Sequence, residues 1–154
     1  MNNAQNEAIL TLGGASYSSA GTSVTTFDTR GFRYAVVDVT FGTLATNGGV
    51  PSVFRITESD ATVISNFTTI TGGSATLAAA NLAHSTVRFQ IDLRNRKRYL
   101  NLDITNGTSS LVISAVARLS RPETSKLTAA QQSVTNMASG ASTNASVNQI
   151  VRIT

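Results

Sequence analysis

The sequence predicts an all-β protein, an antiparallel β-sandwich of jelly-roll or Ig-like kind, and three observations carry that prediction. Long runs alternate apolar and polar residues with a period of two, as strands with one buried face do. Glycine, asparagine and proline turn signals separate the runs at short intervals. In the body of the chain only Ala75 to His84 (ATLAAANLAH) has helix-forming composition, and it is short for a helix standing alone; in the tail Leu127, Ala130, Val134 and Met137 make no more than a weak helical stripe. Roughly seven to nine short strands with almost no helix fit two packed antiparallel sheets.

Ala8 to Leu12 reads as a short strand stopped by Gly13-Gly14, and Ala15 to Gly21 as a loop of small residues. Ser23 to Asp28 reads as a strand, followed by the tight connection Thr29-Arg30-Gly31. So short a link predicts antiparallel pairing with the next strand, Phe32 to Thr43. In that strand Ala35, Val37, Val39 and Phe41 share the inner face. Ser52 to Glu58 places Phe54 and Ile56 on one side, with Val53 and the Arg55 stem on the other. Ala61 to Ile70 is expected to continue the sheet, with Val63 or Ile64, Phe67 and Ile70 buried. Thr71-Gly72-Gly73 interrupts the pattern, and Ala75 to His84 is read as a covering loop.

The strongest pattern is Ser85 to Pro122. Val87, Phe89, Ile91 and Leu93 fall on one face, followed by the basic turn Arg94-Asn95-Arg96-Lys97-Arg98. Leu100, Leu102 and Ile104 mark a second strand, and Asn106-Gly107 a turn. Leu111, Ile113, Ala115, Ala117 and Leu119 mark a third, with Val112 and Val116 on its far side, which predicts a central strand covered on both faces. The three are expected to form one meander. Beyond Pro122 the chain turns rich in Ser, Thr, Ala, Asn and Gln, and NQIVRIT reads as a last short strand. Such a strand cannot fold alone, so it returns to its own sheet or adds to a neighbouring chain. The organisation expected is an N-terminal arm (1–7), a sandwich domain (8–122) and a C-terminal tail (123–154).

At 154 residues the chain suits one domain with a real core. Charged residues make up only 13%, about half the usual share, so Ser, Thr, Asn and Gln must supply the polar surface. With no cysteine, disulfides and thiolate metal sites are excluded. The first residues lack a basic start followed by an apolar run, and no segment approaches the ~20 apolar residues of a membrane helix. The expectation is a chain made in a cytoplasm and soluble there, without membrane partners.

No constellation for catalysis emerges. His84, the single histidine, is adjacent to Ser85, and neighbouring side chains of an extended chain point apart, so the pair reads as a loop-strand junction. Glu58 and Asp60, with Asp38 or Asp103, could supply oxygen ligands to calcium, but no compact loop signature accompanies them, and solvated or ion-paired carboxylates are the plainer reading. The Gly-Gly pairs at 13–14, 48–49 and 72–73 lack a following Lys-Ser or Lys-Thr and read as turns. No catalytic residue, cofactor, metal or small-molecule substrate is expected.

One feature asks for a partner. The formal charge is +4, and Arg94, Arg96, Lys97 and Arg98 hold four of the twelve basic residues; without them the chain balances. The cluster reads as a solvated turn that discourages edge pairing, as a contact to carboxylates of another subunit, or as a phosphate contact. A nucleic-acid role is the weakest of these, since only Tyr99 offers a stacking surface.

The segments DTRGFRYAVVDVTFGT, FRITESDATVISNF, VRFQIDLRNRKRYLNLDIT and a strand ending AVARLSRPE together resemble small structural proteins of tailed bacteriophages encoded among capsid genes. The resemblance spans roughly residues 23 to 123 and is most specific from Asp92 to Leu100; the tail lies outside it. It implies a capsid decoration (cement) protein: an all-β, non-enzymatic module, often a homotrimer, bound to major capsid protein on the outside of the virion. Arg94, Arg96, Lys97 and Arg98 are then the expected contacts to the capsid or a sister subunit, and the two arms the expected bridges. Two alternatives stand beside it, a carbohydrate-binding module of a phage tail or baseplate, and a self-assembling coat protein whose basic turn faces nucleic acid.

Overall fold

The computed structural model describes residues 7–17, 21–44, 49–79, 82–120 and 147–153. Among the described residues nine strands follow in order: β1 (Glu7–Tyr17), β2 (Thr22–Asp28), β3 (Tyr34–Leu44), β4 (Val53–Ser59), β5 (Thr68–Ser74), β6 (Thr86–Asp92), β7 (Tyr99–Thr105), β8 (Leu111–Ser120) and β9 (Val147–Ile153). A 3-10 turn, Ile64–Asn66, lies between β4 and β5. The sheets are β1-β8-β3-β6-β9 and β2-β7-β4-β5. Eight strands ordered 1-8-3-6 against 2-7-4-5 are the double Greek key of a jelly roll, which separates this fold from the Ig alternative.

The inner faces are those the alternation predicts. Ala35, Val37, Val39 and Phe41 of β3, Val87, Phe89 and Ile91 of β6, and the alternate residues Leu111 to Leu119 of β8 are buried. Leu100, Leu102 and Ile104 of β7, with Phe54 and Ile56 of β4, face them from the second sheet and are equally buried. Phe54 bridges the layers: its ring lies 5.5 Å from that of Phe41 and 5.2 Å from that of Phe89, both tilted.

The pairings differ from the expected meander. β6, β7 and β8 do not pair with one another; β7 lies in the opposite sheet, between β2 and β4. Likewise Thr29-Arg30-Gly31 does not join a hairpin, because β2 pairs β7 while β3 pairs β6 and β8. The β2–β3, β6–β7 and β7–β8 links each cross from one sheet to the other, as a Greek key requires and a short polar turn alone does not reveal. Gly31 makes the crossing tight with a φ of 86°, a value side-chain-bearing residues rarely adopt.

Four local expectations are also revised. Gly13-Gly14 does not end the first strand: β1 runs through it, with a register shift at Thr11/Gly13 and Gly13 at φ 89°, a bulge that bends an edge strand without ending it. Gly72-Gly73 likewise lies inside β5. Residues 60–67 leave the sheet, so Val63 and Ile64 are 57% and 62% exposed, whereas Ile70 is buried. β8 is central, between β1 and β3, but covered on one face only, since Val112 is 45% exposed.

β9 joins the edge of the first sheet parallel to β6, from Thr86↔Val147 to Ile91↔Ile153, and Ile153 is buried. The terminal strand thus takes the first of its two expected places and extends its own sheet. The arm at residues 1–6 and the tail at 121–146 lie outside the described residues.

Candidate functional site

The topology sorts the connections into two ends. Of the described residues, 21, 49–52, 75–79, 82–85 and 106–110 lie at one end and contain no Asp, Glu, Lys or Arg. Residues 29–33, 60–67 and 93–98 lie at the other and hold every charged residue of the links between β1 and β8: Arg30, Arg33, Asp60, Arg94, Arg96, Lys97 and Arg98. Backbone hydrogen bonds knit two of these loops together. Thr29 N–H and Thr29 Oγ1 both donate to the Arg98 carbonyl, at 3.0 and 2.7 Å, and Leu93 N–H donates to the Arg33 carbonyl at 2.9 Å.

Arg94, Arg96, Lys97 and Arg98 all sit at this charged end, but three of the four already face carboxylates of their own chain. Arg94 forks onto Asp92. Arg98 Nη2 lies 2.7 Å from Asp28 Oδ2, and its guanidinium stacks 4.7 Å over the Tyr99 ring. Arg96 Nη1 lies 3.6 Å from Glu58 Oε1, with both side chains largely buried. Glu58 also accepts a 3.1 Å bond from the Lys97 backbone N–H. The Arg98 hydrogen bonds hold the Asp28 carboxyl below the usual carboxylate range, and those from Arg94 do the same for Asp92. Lys97 alone of the four has an ammonium outside every ion pair among the described residues.

Arg96 is therefore a structural residue as well as a cationic one. Arg96→Glu sets two carboxylates together at the sheet end and is expected to cost about 1–2 kcal/mol, while Arg96→Met, which only vacates the pair, costs less. Thermal melts of both variants check the order.

The remaining chemistry-bearing residues do not converge. Ser85 is buried and its hydroxyl donates to the Leu82 carbonyl at 2.6 Å, while exposed His84 stands at φ 56°. Three of the four candidate calcium carboxylates are separately engaged, Asp38 with Arg88 and Arg118, Asp103 with Arg55 and Glu58 with Arg96, and Asp60 makes no ion pair among the described residues. Among the described residues no group of three or more His, Asp or Glu side chains could hold a metal. A cavity of about 250 Å³ opens between β1 and β2, walled by residues such as Leu12, Gly13, Thr25, Leu102 and Ile113. Its wall contains no ionisable side chain, so it offers space without acid or base. Among the described residues no helix is long and apolar enough to cross a membrane.

Sequence reasoning missed Arg30, Arg33, Val63 and Ile64 as members of this end. The arginines flank a visible turn, but only the crossing topology carries them to the 93–98 loop. No family model, curated protein or solved structure matches the chain.

Proposed function

We propose that the chain is a virion structural protein, a capsid decoration (cement) protein that stabilises a phage head by bridging major capsid protein subunits. The observation that carries the reading is the polarity of the sandwich: among the described residues, every charge of its β1–β8 links lies at one end and the links of the opposite end carry none. A module that seats one end on a scaffold and turns the other to solvent needs that asymmetry. The jelly roll supports the reading, because the architecture is used by virion proteins, though also by lectins. The mechanism is multivalent. A homotrimer presents three copies of one modest contact, and effective concentration converts them into tight binding.

Native mass of the full chain at low and high salt, beside a chain ending at Glu123, tests this. A discrete trimer is expected for the full chain; because β9 belongs to its own sheet, loss of the trimer in the shortened chain counts only where a melt shows the sandwich still folded. A monomer in both forms would favour a carbohydrate-binding accessory module. Large particles carrying nucleic acid would make it a coat protein.

A further inference from the structure

Val63 and Ile64 are two adjacent, large aliphatic side chains, each more than half exposed, at the tip of the 60–67 loop. Single exposed aliphatics are ordinary, whereas a contiguous pair at a loop tip invites a partner. The loop is held in shape by its own hydrogen bonds. Ala61 N–H donates to Ser59 Oγ at 3.0 Å, Asn66 N–H to the Val63 carbonyl at 3.0 Å, and Phe67 N–H to the Ile64 carbonyl at 3.1 Å. A preshaped tip loses little conformational entropy when it docks.

The cations around it divide into two sets. Arg94, Arg96 and Arg98 answer to Asp92, Glu58 and Asp28. Arg30, Arg33 and Lys97, on the neighbouring loops of the same end, make no ion pair among the described residues. Asp60 makes none either, and the unpaired set stays net positive. We infer that this end is the docking face: Val63 and Ile64 fill an apolar recess on the partner, and Arg30, Arg33 and Lys97 meet an acidic rim around it. The partner is a folded protein surface. Single-stranded nucleic acid would ask for stacking aromatics at the tip, and a bilayer interface for Trp or Tyr there, and the tip has aliphatics instead.

The inference rests on the decoration reading for the partner's identity, the outer surface of the capsid shell. The two kinds of contact act on different rates. A desolvated aliphatic anchor holds the complex together, and rim charges steer encounter and are screened by salt.

The test uses full-length protein and heads assembled without it. Val63→Ser/Ile64→Ser is expected to weaken binding roughly a hundredfold, through faster dissociation and at all salt concentrations. Arg30→Glu/Arg33→Glu/Lys97→Glu is expected to slow association about tenfold at low salt, with the difference shrinking to about twofold near 0.5 M salt. Val112→Ser, which removes an exposed aliphatic from the sheet face, is the control and should bind as wild type does. These positions are exposed or partly so, and unchanged melting temperatures separate lost docking from lost folding. Wild-type binding that survives both sets of substitutions overturns the docking face and leaves the decoration reading standing. Failure of the wild type to bind heads overturns both. Binding to anionic vesicles or nucleic acid that depends on Val63 and Ile64 overturns the protein partner.

Discussion

Phe54→Ala is expected to be the most damaging single substitution in the sandwich, lowering the unfolding free energy by about 4 kcal/mol. Phe54 is 3% exposed and is the β4 side chain whose ring meets both Phe41 of β3 and Phe89 of β6. It therefore contributes burial of its own area and two tilted ring contacts that link the sheets. Truncation removes both and leaves a cavity between layers that the hydrogen-bonded sheets on either side cannot close by collapsing. For a chain of this length the loss corresponds to a fall of roughly 10–15 °C in melting temperature. Phe54→Leu, which keeps most of the volume and loses the ring contacts, should cost about 1–2 kcal/mol. Urea unfolding of both variants is the measurement. A Phe54→Ala midpoint equal to wild type would mean that the two sheets are held by their crossing connections and not by this contact.

That substitution could be chosen from the sequence alone, whereas the partners of Phe54 could not. Period-two alternation identifies which side of a strand is buried, so the inward set from Ala35 to Phe41, from Val87 to Ile91 and from Leu100 to Ile104 was legible. It is silent about which strand lies alongside, because every buried face looks alike from within its own segment. The expected meander from β6 to β8 failed for that reason. Hydrophobicity misled at Val63 and Ile64, because burial is a property of position as well as of residue type, and this loop projects beyond the sheet ends. The basic turn was legible as a cluster but not as a network. Asp92 lies two residues from Arg94, within sight of any local reading. Asp28, by contrast, meets Arg98 across 70 residues of sequence, and Glu58 meets Lys97 across 39. Only the folded register of β2, β4 and β7 brings those carboxylates to the turn.

Asp38→Asn is expected to cost about 2 kcal/mol at neutral pH and to flatten the acid limb of the stability profile. Asp38 lies on the outer face of the five-stranded sheet, directly opposite Arg88 in the β3–β6 register. Arg88 Nε and Nη2 donate to its two carboxylate oxygens at 2.6 and 3.0 Å, and Arg118 Nη2 reaches Oδ2 at 2.8 Å from β8. One carboxylate thus ties three neighbouring strands. Burial pushes its pKa up, but the hydrogen bonds from Arg88 and Arg118 outweigh burial and leave the carboxyl below its ordinary 3.8. The ionised form is therefore the one that favours the fold. Its stabilisation is complete above about pH 4 and is lost as pH falls through the lower, folded-state value. Asparagine keeps the shape and removes the charge, leaving two guanidinium groups without a counter-ion on one sheet face. Arg118 is 45% exposed and recovers solvation readily, whereas Arg88, at 20%, does not, so most of the cost falls on the β3–β6 pair. Replacing Arg88 by Met in the Asp38→Asn background should restore part of the loss, since it removes the uncompensated charge. Denaturant melts from pH 7 down to about pH 3 for the two single variants and the double variant measure the coupling. Purely additive losses, with the wild-type acid limb unchanged in Asp38→Asn, would show that the triad is a surface ornament and that acid sensitivity lies with Asp28 and Asp92 instead.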